Sequence, residues 1–242
     1  MELGKNAMLV ILLVAFVAIG AYVFVNSDKS QQQVIASQGS AEITSDADFV
    51  LVYANIETSN ISAQDAKDAN AVISDEVITE LVKMGFERKD IETENFNIYQ
   101  EYSWEGGVQK SKGWKATNSL KVKITNLDRT GKVVDSVVNN GGLVQYISFE
   151  LTKEHENELK AQALEQASED ARIKAEALAK GSGKKLGSLV SINSNDYQYY
   201  PYRYYEASGA TTDVASVKSA ATNIQPKSLT VTANVQATYR MK

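Results

Sequence analysis

The chain has 242 residues, 43% of them hydrophobic and 23% charged, which is the composition of one or two globular domains rather than of a disordered or collagen-like protein. It contains no cysteine and one histidine, His155, so disulfide frameworks, thiolate nucleophiles, Cys-ligated zinc or iron–sulfur centres and multi-histidine metal sites are excluded. A net charge of -5 argues against nucleic-acid binding, which rests on clustered Lys and Arg over phosphates.

Residues 1–26 differ from the rest, because Ala7 to Val25 runs without a charge. As a helix this run covers roughly 28 Å against a hydrocarbon core of about 30 Å, the length of a membrane anchor. The alternative is a signal peptide that is cleaved. Its apolar part normally stops at about 15 residues, and Ala18-Ile19-Gly20 is a weak small-x-small site. The flanking charges give the positive-inside rule little to act on, and the short head favours an extracytoplasmic position for the remainder of the chain. Residues 27–33 read as a polar spacer.

The domain expected over 34–242 starts with a weakly patterned strand at 34–44. Val50, Val52, Ala54 and Ile56 alternate as a second strand. A helix is expected from Ser62, a capping residue with Asp65 three positions on, through a face of Ala66, Ala69, Ile73, Val77, Leu81 and Met84 to a stop at Gly85. Residues 92–104 form another weakly patterned strand, and Leu120, Val122 and Ile124 alternate with Lys121 and Lys123. A short helix over about 128–140 carries Val134, Val137 and Val138 and ends at Gly141-Gly142. After a strand at 143–151, the longest helix, about 153–180, places Ala163, Ala167, Ala171, Ala175 and Ala179 at i,i+4 spacing. Such a stripe suits close helix-on-sheet packing, with a partner-helix seam as the alternative. Asp170 with Lys174 and Glu176 with Lys180 mark its solvated side. A strand at 186–193 and a final strand with Leu229, Val231, Ala233, Val235, Ala237 and Tyr239 on one face complete the series. The fold class is α+β: antiparallel sheet or sheets backed by about three helices, in the order β-β-α-β-β-α-β-α-β-β.

These elements resemble a SIMPL domain from about Val34 to Tyr239. The resemblance is carried by Gly39, by Gly85 with Asp90-Ile91, Thr93 and Phe96, by Gly113-Trp114 and by Ile147-Ser148-Phe149. The run from Asp170-Ala171-Arg172 through Lys174-Ala175-Glu176-Ala177-Leu178-Ala179 to Gly187 carries it furthest. Ser45-Asp46 and Pro226-Lys227 stand where the family has Pro-Asp and Pro-Gly turns. The resemblance implies an envelope-attached or periplasmic α+β domain, with ring-like or channel-like oligomers known and no established catalytic activity.

Direct signals for chemistry are few. Gly181-Ser182-Gly183-Lys184-Lys185 lacks the first Walker glycine, follows a helix and precedes a strand, so a helix C-cap explains it better than a phosphate loop. Glu92 and Glu94 invite comparison with glycosidase carboxylates, but spacing alone does not support that reading. His155, amid Glu154, Glu156 and Glu158, reads as a surface side chain, and Asn60-Ile61-Ser62 as a cap rather than a glycosylation site. No catalytic residue, metal ligand or cofactor is assigned. The distinctive segment is 194–225, a long insert before the final strand. It concentrates Tyr197, Tyr199, Tyr200, Tyr202, Tyr204 and Tyr205 around Pro201 and Arg203, a candidate contact surface for protein, glycan or membrane. The expected function is a membrane-anchored, extracytoplasmic structural or interaction module of the cell envelope, self-associating and non-enzymatic. The alternatives are a monomeric ligand-binding or stress-protective envelope protein and an envelope polysaccharide hydrolase.

Overall fold

The computed structural model describes residues 16–17, 33–205 and 228–242. Strands β1 (Val34–Ser45) and β2 (Phe49–Asn60) precede helix α1 (Ala63–Lys83), and β3 (Ile91–Glu105) and β4 (Val108–Ile124) precede α2 (Thr130–Asn139). Strand β5 (Leu143–Glu150) leads into α3 (Lys153–Gly181), followed by β6 (Leu186–Tyr199), β7 (Tyr202–Tyr205) and β8 (Leu229–Met241). This is the expected α+β order with one additional short strand, β7. The anchor expected over 7–25 lies outside the described residues except for Phe16 and Val17. Among the described residues no helix is long and apolar enough to cross a membrane.

The chain divides into two compact units, Met1–Ala41 with Leu164–Asp196 and Ala233–Lys242, and Glu42–Ala163 with Tyr197–Thr232. The second unit is built on a five-stranded antiparallel sheet of order β3-β4-β2-β5-β7. The alternation read from the sequence meets in register across it: Val50 faces Ile124, Val52 faces Val122 and Ala54 faces Leu120. All six side chains are buried. The β3–β4 hairpin turns through Gly106 and Gly107, whose φ values of 61° and 81° form the two-residue turn that matches strand twist.

Helix α1 packs on β2 and β4. Ser62 caps it, accepting from the Asp65 N–H at 3.1 Å. Its buried row is Ala66, Asn70, Ser74, Val77 and Leu81, whereas the expected face had Ala69, Ile73 and Met84 in place of the two polar residues. Asn70 donates to the carbonyls of Ile56 at 2.8 Å and Ala116 at 3.2 Å, and those bonds let a polar side chain occupy the centre of the interface.

In the first unit the alanine stripe packs against sheet. Ala167, Ala171, Ala175 and Ala179 are fully buried, and Ala171 and Ala175 form a core with Ala237 and Tyr239, flanked by Ile35 and Leu186. Gly39 lets β1 approach this helix: a Cβ built there falls 1.9 Å from the Ala167 carbonyl oxygen. Ser37 Oγ donates to the Ala171 carbonyl at 2.7 Å, and the Ser40 N–H to Asp170 Oδ2 at 2.9 Å. Asp170 also meets Lys174 at 2.6 Å, as their spacing implies. The helix ends in a cap, with Gly183 at φ 74° and the Lys184 N–H on the Ala179 carbonyl. The capping role expected of the Gly181–Lys185 run is therefore the one it performs. The three-stranded sheet has the order β1-β8-β6. On β8 the residues Leu229 to Tyr239 at alternate positions are buried, as the pattern predicts.

Candidate functional site

The tyrosine segment is more ordered in backbone than a long connection implies. Strand β6, expected to end at 193, continues to Tyr199, and β7 then pairs with β5: Phe149 opposite Tyr202, Ser148 opposite Arg203, Ile147 opposite Tyr204 and Tyr146 opposite Tyr205. The alternation of large β-formers drives this, because Tyr202 sets its ring against the buried Phe149 at 6.0 Å. The remaining part of the expected insert, 206–227, lies outside the described residues.

The tyrosines divide by role. Tyr199 points inward, and its hydroxyl accepts the Leu151 N–H at 2.9 Å; burial pushes that hydroxyl's pKa up. Tyr197 covers the Lys160 ammonium, which lies 3.9 Å from its ring centre while also pairing with Glu156. Arg203 stacks over Tyr146 at 5.4 Å, and Tyr146 stacks in turn on Tyr53 at 4.2 Å. Tyr200, at 72% exposure, is the tyrosine of the segment most open to solvent among the described side chains. A cleft of about 340 Å³ opens beside it, lined by Tyr200, Pro201, Tyr202, Arg203 and Gln198 on one side and by Ser228, Thr230 and Thr232 with Leu229 on the other. Sequence alternation put the β8 hydroxyls on one face but carried no signal that this face meets the tyrosines.

A second cluster surrounds the start of α3. Asp48 accepts the Thr152 N–H at 2.7 Å and the Thr152 hydroxyl at 3.0 Å, and His155 Nδ1 lies 2.9 Å from Asp48 Oδ1. The Thr152 hydroxyl in turn accepts the His155 N–H at 3.3 Å. His155 Nε2 is 3.4 Å from Ser45 Oγ. The expectation of an unpartnered surface histidine is thus corrected, since the fold brings Ser45 and Asp48 to it from more than 100 positions away. Ser45, His155 and Asp48 share the connectivity of a catalytic relay. The Ser45 hydroxyl donates its one proton to the Asp46 carbonyl at 3.2 Å, however, and Asp48 Oδ2 is occupied by the Thr152 N–H and hydroxyl in closing the first turn of α3. The geometry is that of a capping network.

Burial by itself raises the Asp48 pKa, but the Thr152 N–H, His155 and the Thr152 hydroxyl outweigh it and hold the carboxyl below its ordinary 3.8. A carboxylate with a depressed folded pKa contributes stability that is present above its unfolded value and lost as pH falls through the folded one. Asp48→Asn is expected to cost about 1–2 kcal/mol in urea denaturation near neutral pH. The difference from wild type should shrink as pH falls below the ordinary carboxyl value of 3.8 and on through the depressed folded one, and a cost independent of pH would show that the carboxylate charge is irrelevant.

Several glycines that carry the family resemblance have structural reasons in this chain. Besides Gly39, Gly113 has φ 102° at a β3–β4 bulge, and a Cβ there would meet the Asn60 carbonyl oxygen at 2.4 Å. Residues 35–239 match the family SIMPL, described as a protein of unknown function (DUF541). The chain belongs to the SIMPL family. Among its relatives is the 26 kDa periplasmic immunogenic protein of Brucella melitensis biotype 1, 26% identical over 192 residues that cover 76% of this chain and 75% of that one. Another is the uncharacterized protein YggE of Escherichia coli K12, 25% identical over 170 residues covering 69% and 68%.

In this SIMPL chain Glu92 and Glu94 both bind Lys121, at 2.7 and 3.4 Å, on an exposed part of the sheet. A bulge between Thr93 and Asn95 lets two acidic residues reach one lysine. Their ion pairs with Lys121 raise its pKa despite the opposing effect of burial. Among the described residues no group of three or more His, Cys, Asp or Glu side chains is arranged to hold a metal ion.

Proposed function

We propose that this SIMPL protein is an extracytoplasmic interaction module of the cell envelope, held to the membrane by residues 7–25 and self-associating, with no catalytic role. The observation that carries the reading is the tyrosine corner: an exposed Tyr200 ring beside a cleft, next to the paired strands β5 and β7. A relative named as periplasmic supports the location, and the uncharged run Ala7 to Val25 supports the anchor. The occupied hydrogen bonds of Ser45 and Asp48, and the lysine between Glu92 and Glu94, favour this reading over a hydrolase.

The test is sedimentation of the full-length protein in detergent, with electron microscopy of the assembled fraction. If Tyr200 anchors the contact, Tyr200→Ser should weaken association about tenfold while leaving the melting temperature unchanged. Tyr199→Phe should do the reverse. It leaves the Leu151 N–H unpaired at a cost of about 1–3 kcal/mol of stability and spares association. A monomer at all concentrations would overturn self-association, and protection of residues 34–242 from external protease in intact cells would overturn the topology.

A further inference from the structure

We propose that the free end of the β3–β4 hairpin is a membrane-docking element whose aromatic face lies at the headgroup level of a zwitterionic phospholipid bilayer. The inference rests on the reading of residues 7–25 as an anchor and adds a second point of membrane contact. Strand β2 ends at Asn60, opposite Trp114, and Trp114 lies opposite Gln100 of β3. Residues 101–113 therefore continue as a two-stranded ribbon without β2 beside it, for roughly 17 Å at the usual strand rise. The ribbon has two unlike faces. Gln100, Tyr102 and Ser111 share one, because the Tyr102 hydroxyl donates to Gln100 Oε1 at 2.7 Å and Gln100 Nε2 donates to Ser111 Oγ at 3.0 Å. Strand alternation adds Trp104 to that face, together with Gln109 opposite it, and leaves the face without a charge. Glu101, Glu105 and Lys110 fall on the other side, where Lys110 pairs with Glu105 at 2.7 Å and Lys112 with Glu101 at 3.9 Å.

The surface of the ribbon selects among occupants. Trp104 is 71% exposed, and Tyr102 and Val108 beside the Gly106-Gly107 turn are exposed as well. A two-stranded ribbon is marginally stable alone in water, and these side chains gain nothing there from their apolar area. A glycan needs hydrogen-bonding groups turned outward. Here the Tyr102 hydroxyl, the Gln100 amide and Ser111 Oγ, which also accepts the Gly113 N–H at 3.2 Å, are engaged with one another. Tyrosine and tryptophan on an otherwise closed, uncharged face suit the headgroup level of a bilayer, where an amphipathic ring keeps one end apolar and the other wet. Two lysines against two glutamates leave the ribbon no excess positive charge with which to favour anionic lipid. Aromatic side chains also serve protein interfaces, and the tether decides for lipid. Asn26 to Gln33 is eight residues, a reach of at most about 28 Å when extended, so a domain beginning at Val34 stays beside the bilayer that holds the anchor.

The chain supplies its own probe, because its two tryptophans, Trp104 and Trp114, are both on this hairpin and the run 7–25 has none. The full-length protein is reconstituted into phosphatidylcholine vesicles brominated either near the headgroup end or near the methyl end of the acyl chains. Emission should be quenched about twofold more by the shallow bromines than by the deep ones, the depth expected of an interfacial tryptophan. Trp114→Phe should keep most of that quenching and Trp104→Phe should lose most of it. Absence of quenching, quenching carried by Trp114, or stronger quenching by the deep bromines would each overturn the proposal. So would protection of Trp104 from aqueous acrylamide without bromine quenching, since the ribbon would then be covered by protein, whether a second copy or another segment of this chain. An alkaline carbonate wash of the same vesicles separates this reading from that of the anchor. Protein that is quenched but stripped by the wash keeps the docking ribbon and removes the anchor, whereas protein that is retained but unquenched removes the ribbon and leaves the anchor standing.

Discussion

Gly39→Ala is expected to lower stability by about 3 kcal/mol, an outsized cost for one added methyl group. In thermal scans this corresponds to a fall of roughly 6–12 °C for a chain of this size. Alanine itself suits a strand as well as glycine does, and the backbone here is not in the left-handed region. The cost comes from position: the new Cβ would lie 1.9 Å from the Ala167 carbonyl oxygen, 2.4 Å from the Ala171 nitrogen and 2.9 Å from the Ala171 Cβ. Two of those three atoms belong to helix backbone, so no rotamer change relieves them, and β1 and α3 must separate. Adding Ala171→Gly removes only the third contact and should recover little. Full recovery in that double variant would mean that the side-chain contact, and not the backbone approach, sets the spacing.

Asn70→Leu should cost about 3 kcal/mol in urea denaturation, although the new side chain is apolar and similar in size. The Asn70 amide donates to two strand carbonyls, and its oxygen accepts from the Ser74 hydroxyl, which accepts in turn from Asn118 Nδ2 at 2.9 Å. Leucine would strand the carbonyls and break the chain of bonds at its start. Among the described residues Asn118 Oδ1 already lacks a donor, so the network has no spare donor to satisfy the carbonyls that leucine would strand. Ser74→Ala, which removes the middle link and spares the carbonyls, should cost about 1 kcal/mol. Equal effects from the two substitutions would show that the carbonyl bonds contribute nothing beyond the side-chain relay.

Features set by local forces were legible in the sequence. Period-two alternation identified β2, β4 and β8, and register across β2 and β4 then joined the very residues that alternate. Capping chemistry at Ser62 and the alanine spacing of α3 were equally readable, because each is set within a few residues of itself. Asn70 and Ser74 were hidden, since a polar residue in a helix reads as solvated until partners from distant strands are known. His155 failed for the same reason: Asp48 and Ser45 come to it through the tertiary fold. The tyrosine segment was recognised as distinctive but read as a loop, because four residues of β7 give too short a pattern to reveal a strand that depends on Phe149 for its place. The cleft could not be foreseen at all, as its walls come from segments that the sequence separates by more than twenty positions.

The β3–β4 hairpin has a practical consequence for anyone who monitors unfolding by light. The chain's two tryptophans, Trp104 and Trp114, both lie on this one hairpin, the first largely in water and the second half-buried opposite Gln100. Emission spectra will therefore register what happens to one corner of one unit and stay blind to the alanine-packed helix. Circular dichroism near 222 nm weights the helices instead, α3 most heavily because it is the longest. A gap between the two melting curves would resolve the order in which the parts of the molecule come undone, without a single label being introduced.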